Sequence, residues 1–158
     1  MDVVADQDSP RWDHSLDSRV VPLFLALQGA RARSLETMRP VLARYGLSLA
    51  EFDVLATLRN APPPHELTPS QLQAEVVITS GGLTKVMLHL EGRGLVLRRQ
   101  AADDARVKPA ALTPAGAAQI EAAMAEVVAA TGAWLRAALS DAEMARLQTV
   151  LARLAGAG

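Results

Sequence analysis

The sequence predicts a mainly α-helical chain carrying one β-hairpin, and three observations predict it. Half of the 158 residues are hydrophobic but only 3% are aromatic, and leucine and alanine dominate, which favours helices over a β-sandwich. Helix-start signals recur along the chain as Ser or Thr caps, several followed three residues later by Glu or Gln. Between Gly94 and Leu112, two short apolar or β-branched runs flank a polar stretch, as in a hairpin.

The elements follow in order. Residues 1–15 hold four aspartates and little apolar periodicity, and read as a mobile arm. A helix is expected over about 17–44, with Leu23, Leu27, Leu35, Met38 and Leu42 as buried candidates. Pro22 fits its first turns, Pro40 should kink or split it, and Gly46 is a stop signal. "SLAEFDVLATLRN" opens on a capping box, Ser48 with Glu51, and Phe52, Leu55 and Leu58 form its apolar face. "APPPHE" is a connector. "TPSQLQAEV" starts a short helix with Thr68 as cap, Pro69 at the first position and Gln71 at the third. Thr79 or Ser80 caps the next helix, whose apolar stripe is Leu83, Val86, Met87 and Leu90, and Gly94 ends it. "LVLRRQ" and "VKPAAL" are the hairpin strands, the second confined to an edge by Pro109. Thr113 and Pro114 open a long helix through Ile120, Met124, Val127, Val128, Trp134 and Leu135. Ser140 and Glu143 open the last, whose Met144, Leu147, Leu151 and Leu154 have the spacing of a helix–helix seam.

A formal net charge of −1 favours no particular partner, but the charges are unevenly spread. Residues 79–110 contain Lys85, Arg93, Arg98, Arg99, Arg106 and Lys108 against Glu91, Asp103 and Asp104, a local basic footprint on a mildly acidic chain. There is no cysteine, which excludes disulfides, Cys-based metal sites and thiol switches, and His14, His65 and His89 lack metal spacing. No cofactor is implied. The acidic, polar N-terminus does not resemble a signal peptide, and the longest apolar run, residues 20–27, is too short to span a bilayer. The expectation is a cytoplasmic protein without a membrane partner. An enzyme is not expected. "TSGGLTK" lacks the Gly-Lys-Ser/Thr ending of a P-loop, and "GRGLVL" lacks the third glycine of a dinucleotide turn.

The order helix, helix, short helix, helix, hairpin is that of a winged helix-turn-helix over residues 48–112, in which the second helix of the turn enters the DNA major groove. Helices at 16–47 and 113–158 hold too much apolar surface to stand alone and are expected to pack across a two-fold homodimer. The segments "YGLSLAEFDVLATL", "TPSQLQAEVVITSGGLTKVMLHLEGRGLVLRR", "DDAR" and "ALTPAG" resemble the MarR (multiple antibiotic resistance regulator) family of transcription regulators, from about Gly46 to Gly116. The resemblance implies a dimeric repressor that binds a palindromic double-stranded operator and is released by a small phenolic or other aromatic acid. The rival from another class is a winged-helix module that binds protein and not specific DNA.

Carried over by position, the resemblance puts Ser80, Gly81, Thr84 and Lys85 on the groove-facing side, with Thr79 and the helix N-terminus toward phosphate. His89 is a further candidate on the same helix. Arg106, oriented by Asp104, matches the wing arginine that enters the minor groove. Arg98 and Arg99 alternate on a strand, so one of them faces phosphate. Arg93 suits either a helix C-terminus or DNA. Many family members carry arginine at Ser80 and an Asp-Arg pair at Leu88 and His89. Leu88 is therefore expected to pack on the preceding short helix, and Lys85 and the wing arginines to carry more of the DNA contact. The paired glycines have separate uses: Gly81 allows close approach, and Gly82 packs against the short helix. Trp12, His14, Arg19 and Arg44 are the candidates for an aromatic carboxylate.

Overall fold

The computed structural model describes residues 20–99 and 108–156 and divides into two compact units at Leu35 and Glu36. Helix α1 (Val20–Arg44) runs through both. Pro40 lies inside it and does not split it. In the first unit the large apolar side chains Val20, Leu23, Phe24, Leu25 and Leu27 are exposed. The expected burial of Leu23 and Leu27 is therefore corrected. Amphipathic spacing records a face suited to burial, but not whether the covering surface belongs to the same chain.

The second unit holds the core. Helix α2 (Leu49–Asn60) is its hub and packs against α3 (Pro69–Glu75), α4 (Ser80–Gly92) and α5 (Pro114–Ala138). Val54, Leu55, Leu58, Leu72, Leu90 and Ile120 are fully buried, and Val41 and Leu42 bring the end of α1 into the same cluster. The caps form as the sequence predicts. Ser48–Glu51, Thr68–Gln71 and Ser140–Glu143 are complete capping boxes, and Thr79 and Thr113 each accept from the backbone N–H three residues on. Each such cap satisfies N–H groups that a helix cannot pair internally. Gly46 and Gly94 take positive φ, +60° and +69°, at the ends of α1 and α4.

The sheet departs from the expected hairpin. Strands β2 (Val96–Arg98) and β3 (Ala110–Leu112) pair antiparallel, Val96 opposite Leu112 and Arg98 opposite Ala110. A third strand, β1 (Glu66–Leu67), emerges from the proline-rich connector and pairs with β3 on its other side. The order is β1-β3-β2, so β3 is central and not an edge strand. Pro109 is tolerated because it precedes the strand, where its carbonyl accepts from Arg99 N–H at 2.9 Å.

Helix α6 (Asp141–Leu154) contains no buried residue. Leu147, Val150, Leu151 and Leu154 are all exposed along it. No single helix among the described residues is long and apolar enough to cross a membrane.

Candidate nucleic-acid interface

Helix α4 is two-faced. Leu83, Met87 and Leu90 are buried against the core, and Gly81, Thr84, Lys85 and Leu88 are exposed on the opposite side. Those four positions follow the i, i+3, i+4, i+7 spacing that lines one helix face. The helix starts at Thr79, whose Oγ1 accepts from Gly82 N–H at 3.1 Å. A Cβ added at Gly81 would meet nothing within 4 Å, so this turn presents bare backbone to its surroundings. At Gly82 a Cβ would fall 2.9 Å from Ile78 Cγ1 and 3.0 Å from Thr79 Oγ1. Gly82 is thus packed against the turn before its own helix. The expected packing on the preceding helix is corrected, because capping draws the Thr79 side chain back over the first turn.

Thr84 Oγ1 donates to Ser80 O at 3.1 Å, and Ser80 is exposed. Lys85 carries no ion pair or hydrogen bond among the described residues. Leu88 does not pack on α3 as expected: it is 61% exposed. Its neighbour His89 is exposed as well, with Nδ1 lying 2.5 Å from Glu51 Oε1 at the start of α2. Glu51 is 5% exposed, and its other oxygen accepts from Ser48 N–H at 2.8 Å. Burial pushes the Glu51 carboxyl up, but the Ser48 N–H and hydroxyl together with His89 outweigh it and hold the group below the usual carboxylate range.

The basic residues beside α4 are mostly engaged. Arg93 donates to Gly46 O at 2.8 Å and Tyr45 O at 3.2 Å, closing the C-terminal end of α1, and stands 3.6 Å from Glu51. Arg98 Nε donates to Glu91 Oε1 at 2.7 Å, and Arg99 Nη1 pairs with Glu66 Oε1 at 2.8 Å. Of these two, Arg99 is the more exposed, 57% against 32% for Arg98. Asp104 and Arg106 lie outside the described residues, as do Trp12, His14 and Arg19. Arg44 pairs with Glu126 on α5, which also accepts from Tyr45 Oη at 2.5 Å.

A cleft of about 380 Å³ opens between α3, α4 and the wing strands. Ser70, Gln73, Ser80, Thr84, Arg98 and Lys108 supply its polar lining. Ser70, Gln73 and Lys108 are additions to the sequence-based set. Lys108 had a signal, since it belongs to the basic stretch, whereas Ser70 and Gln73 had none.

Residues 47–108, from α2 through β2, match the MarR family model. A helix-turn-helix-type transcriptional regulator from Bacillus cereus is 31% identical over 113 residues, covering 72% of this chain and 73% of the relative. The chain belongs to the MarR family. Its fold is shared with E. coli MarR, solved as a mutant complexed with operator DNA, at 25% identity and a TM-score of 0.76, covering 86% of this chain and 95% of that one. The transcriptional repressor CouR, bound to a 23-mer DNA duplex, is 27% identical with a TM-score of 0.74, covering 82% and 89% of the two chains. The chain is accordingly a MarR-family helix-turn-helix transcription regulator, and its relatives are regulators and not enzymes.

Proposed function

We propose that this MarR-family regulator is a homodimeric, sequence-specific repressor that binds a palindromic double-stranded operator. The observation that carries the reading is the outer face of α4. Gly81, Thr84 and Lys85, which has no ion pair or hydrogen bond among the described residues, stand exposed on a helix whose opposite face is locked into the core. A helix with a bare, Thr79-capped first turn and an exposed cation suits the major groove and its flanking phosphates. Thr79, Ser80, Gly81, Thr84 and Lys85 form the proposed contact set on α4, and Arg99, Asp104 and Arg106 that of the wing. Arg99, Arg98 and His89 each have an acidic partner to give up, and Arg98, the less exposed of the two wing arginines, and His89 are secondary. The solved complexes of E. coli MarR and CouR with DNA support the same use of the fold.

Residues 48–112 are the proposed DNA-binding region, and 16–47 and 113–158 the dimerisation helices. Support comes from the apolar side chains exposed on the first half of α1 and, separately, along α6. Two copies would set their recognition helices about 34 Å apart, one duplex turn. A small aromatic or phenolic acid is the proposed effector. Arg44 is its described anchor, and Trp12, His14 and Arg19 complete the set. The pairing of Arg44 with Glu126 makes effector binding a competition between two carboxylates.

The proposal is tested by titrating the protein against its own upstream DNA and against random duplex, then adding aromatic carboxylates. Specific binding that one such acid releases is expected. Equal affinity for both duplexes removes the repressor reading. An acid panel that changes neither affinity nor thermal stability removes the effector.

A further inference from the structure

Within residues 36–99 and 108–112, only Val77 and Leu88 among the large apolar side chains are exposed. Val77 lies in the turn before α4. Leu88 lies on the outward stripe of α4 itself, one turn beyond Lys85 and Thr84 and two beyond Gly81. It is a single apolar group on a polar helix face, too small to dock a protein or a lipid surface. We infer that Leu88 is a base-reading residue that takes the C5 methyl group of a thymine in the major groove.

The chemistry selects that partner. A leucine side chain has no donor or acceptor, so it cannot read N7, O6, N6 or N4 of any base. The thymine methyl is the one apolar feature that a base pair presents in the major groove, and cytosine, guanine and adenine offer none. The position also fits. At 1.5 Å per residue, Leu88 sits about 4.5 Å along the helix axis from Lys85, on the same face. The thymine should therefore lie within about two base pairs of the pair that Lys85 faces.

This inference rests on the proposed entry of α4 into the major groove, and the experiment separates the two. The protected site in the chain's own upstream DNA is first mapped with the wild-type protein. Each thymidine in it is then replaced by deoxyuridine, symmetrically in both half-sites, and the duplexes are titrated with wild type, Leu88→Ala and Leu88→Met. Wild type should lose about fourfold in affinity per half-site at one thymine, the worth of one buried methyl group. Leu88→Met should keep that discrimination, and Leu88→Ala should bind the thymine and uracil duplexes alike. A Leu88→Ala protein with the wild-type thymine preference at every position overturns the assignment, as does a wild type indifferent to every replacement. If no site is protected at all, the groove reading has failed and the inference falls with it.

Discussion

Gly116 is the position where the structure leaves least room, and replacing it with alanine should visibly destabilise the protein. It stands in the first turn of α5, where its N–H donates to Thr113 Oγ1 at 3.0 Å. Thr113 in turn ties this turn to the start of the wing. Its hydroxyl donates to Gly94 O at 2.7 Å and its N–H to Leu95 O at 3.1 Å. A Cβ on Gly116 would overlap the Leu95 carbonyl oxygen and lie 2.8 Å from the carbonyl carbon and 3.2 Å from Leu95 Cα. Non-bonded carbons prefer about 3.5–4.0 Å. The obstacle is backbone, so α5 or β2 has to move by about 1 Å. Overpacking of this kind costs about 1–3 kcal/mol. Weakening the Thr113–Leu95 bond adds about 1 kcal/mol. The helix preference of alanine over glycine returns up to about 1 kcal/mol. The net loss is about 2 kcal/mol, which for a chain of this length lowers Tm by roughly 4–8 °C. Thermal unfolding of wild type and Gly116→Ala at matched protein concentration measures it. A variant that melts within 2 °C of wild type (roughly the shift for 0.5–1 kcal/mol), or above it, refutes the packing argument.

Three further outcomes are expected. Gly81→Ala should do the opposite in stability, gaining about 0.5–1 kcal/mol in the open first turn of α4, and should weaken operator binding by about tenfold or more if that turn lies against DNA. Tighter or unchanged binding in a gel-shift titration excludes the close approach. Arg106→Ala should cost about 1–3 kcal/mol of operator affinity, and an unchanged affinity with intact folding removes Arg106 from the contact set. Glu51→Gln should lower stability at pH 7 by about 1 kcal/mol, read by urea unfolding. The Glu51 carboxyl is held low in the folded state, so its contribution is complete above the ordinary carboxylate range and is lost as pH falls through the folded value. The gap between wild type and variant should close in acid, and a pH-independent gap argues against the charge as its source.

What the sequence revealed and what it hid divide along a physical line. Helix starts were legible because a cap is local chemistry: Ser48, Thr68, Thr79, Thr113 and Ser140 each act on an N–H three residues away. The two faces of α4 were legible for the same reason, since Leu83, Met87 and Leu90 announce a periodicity. Strand β1 was not, because Glu66 and Leu67 become a strand only by pairing with Ala111 and Ala110. Nor were the partners of the candidate cations. His89 meets Glu51 from 38 residues away, and Arg44 meets Glu126 from 82, distances over which spacing carries no information. Leu23 and Leu27 show the converse case. Their pattern marks an apolar face, but it does not say whether the same chain buries that face, and here it is exposed. The motif "ALTPAG" gains a physical content it lacked as a string: Thr113 caps, Pro114 starts the helix, and Gly116 leaves space for Leu95.

In the proposed function, α4 and the wing grip a specific duplex through Lys85, Arg99 and Arg106. The most direct test of that grip is the equilibrium affinity of the full chain for its own upstream DNA between 50 and 200 mM salt, with random duplex as the reference. A dimer that contributes Lys85, Arg99 and Arg106 from each protomer would neutralise about six phosphates, giving a slope of log K against log salt near −5 and a loss of roughly 10³ across that range. That steep fall is expected together with a clear preference for the upstream sequence. An affinity indifferent to both salt and sequence contradicts it.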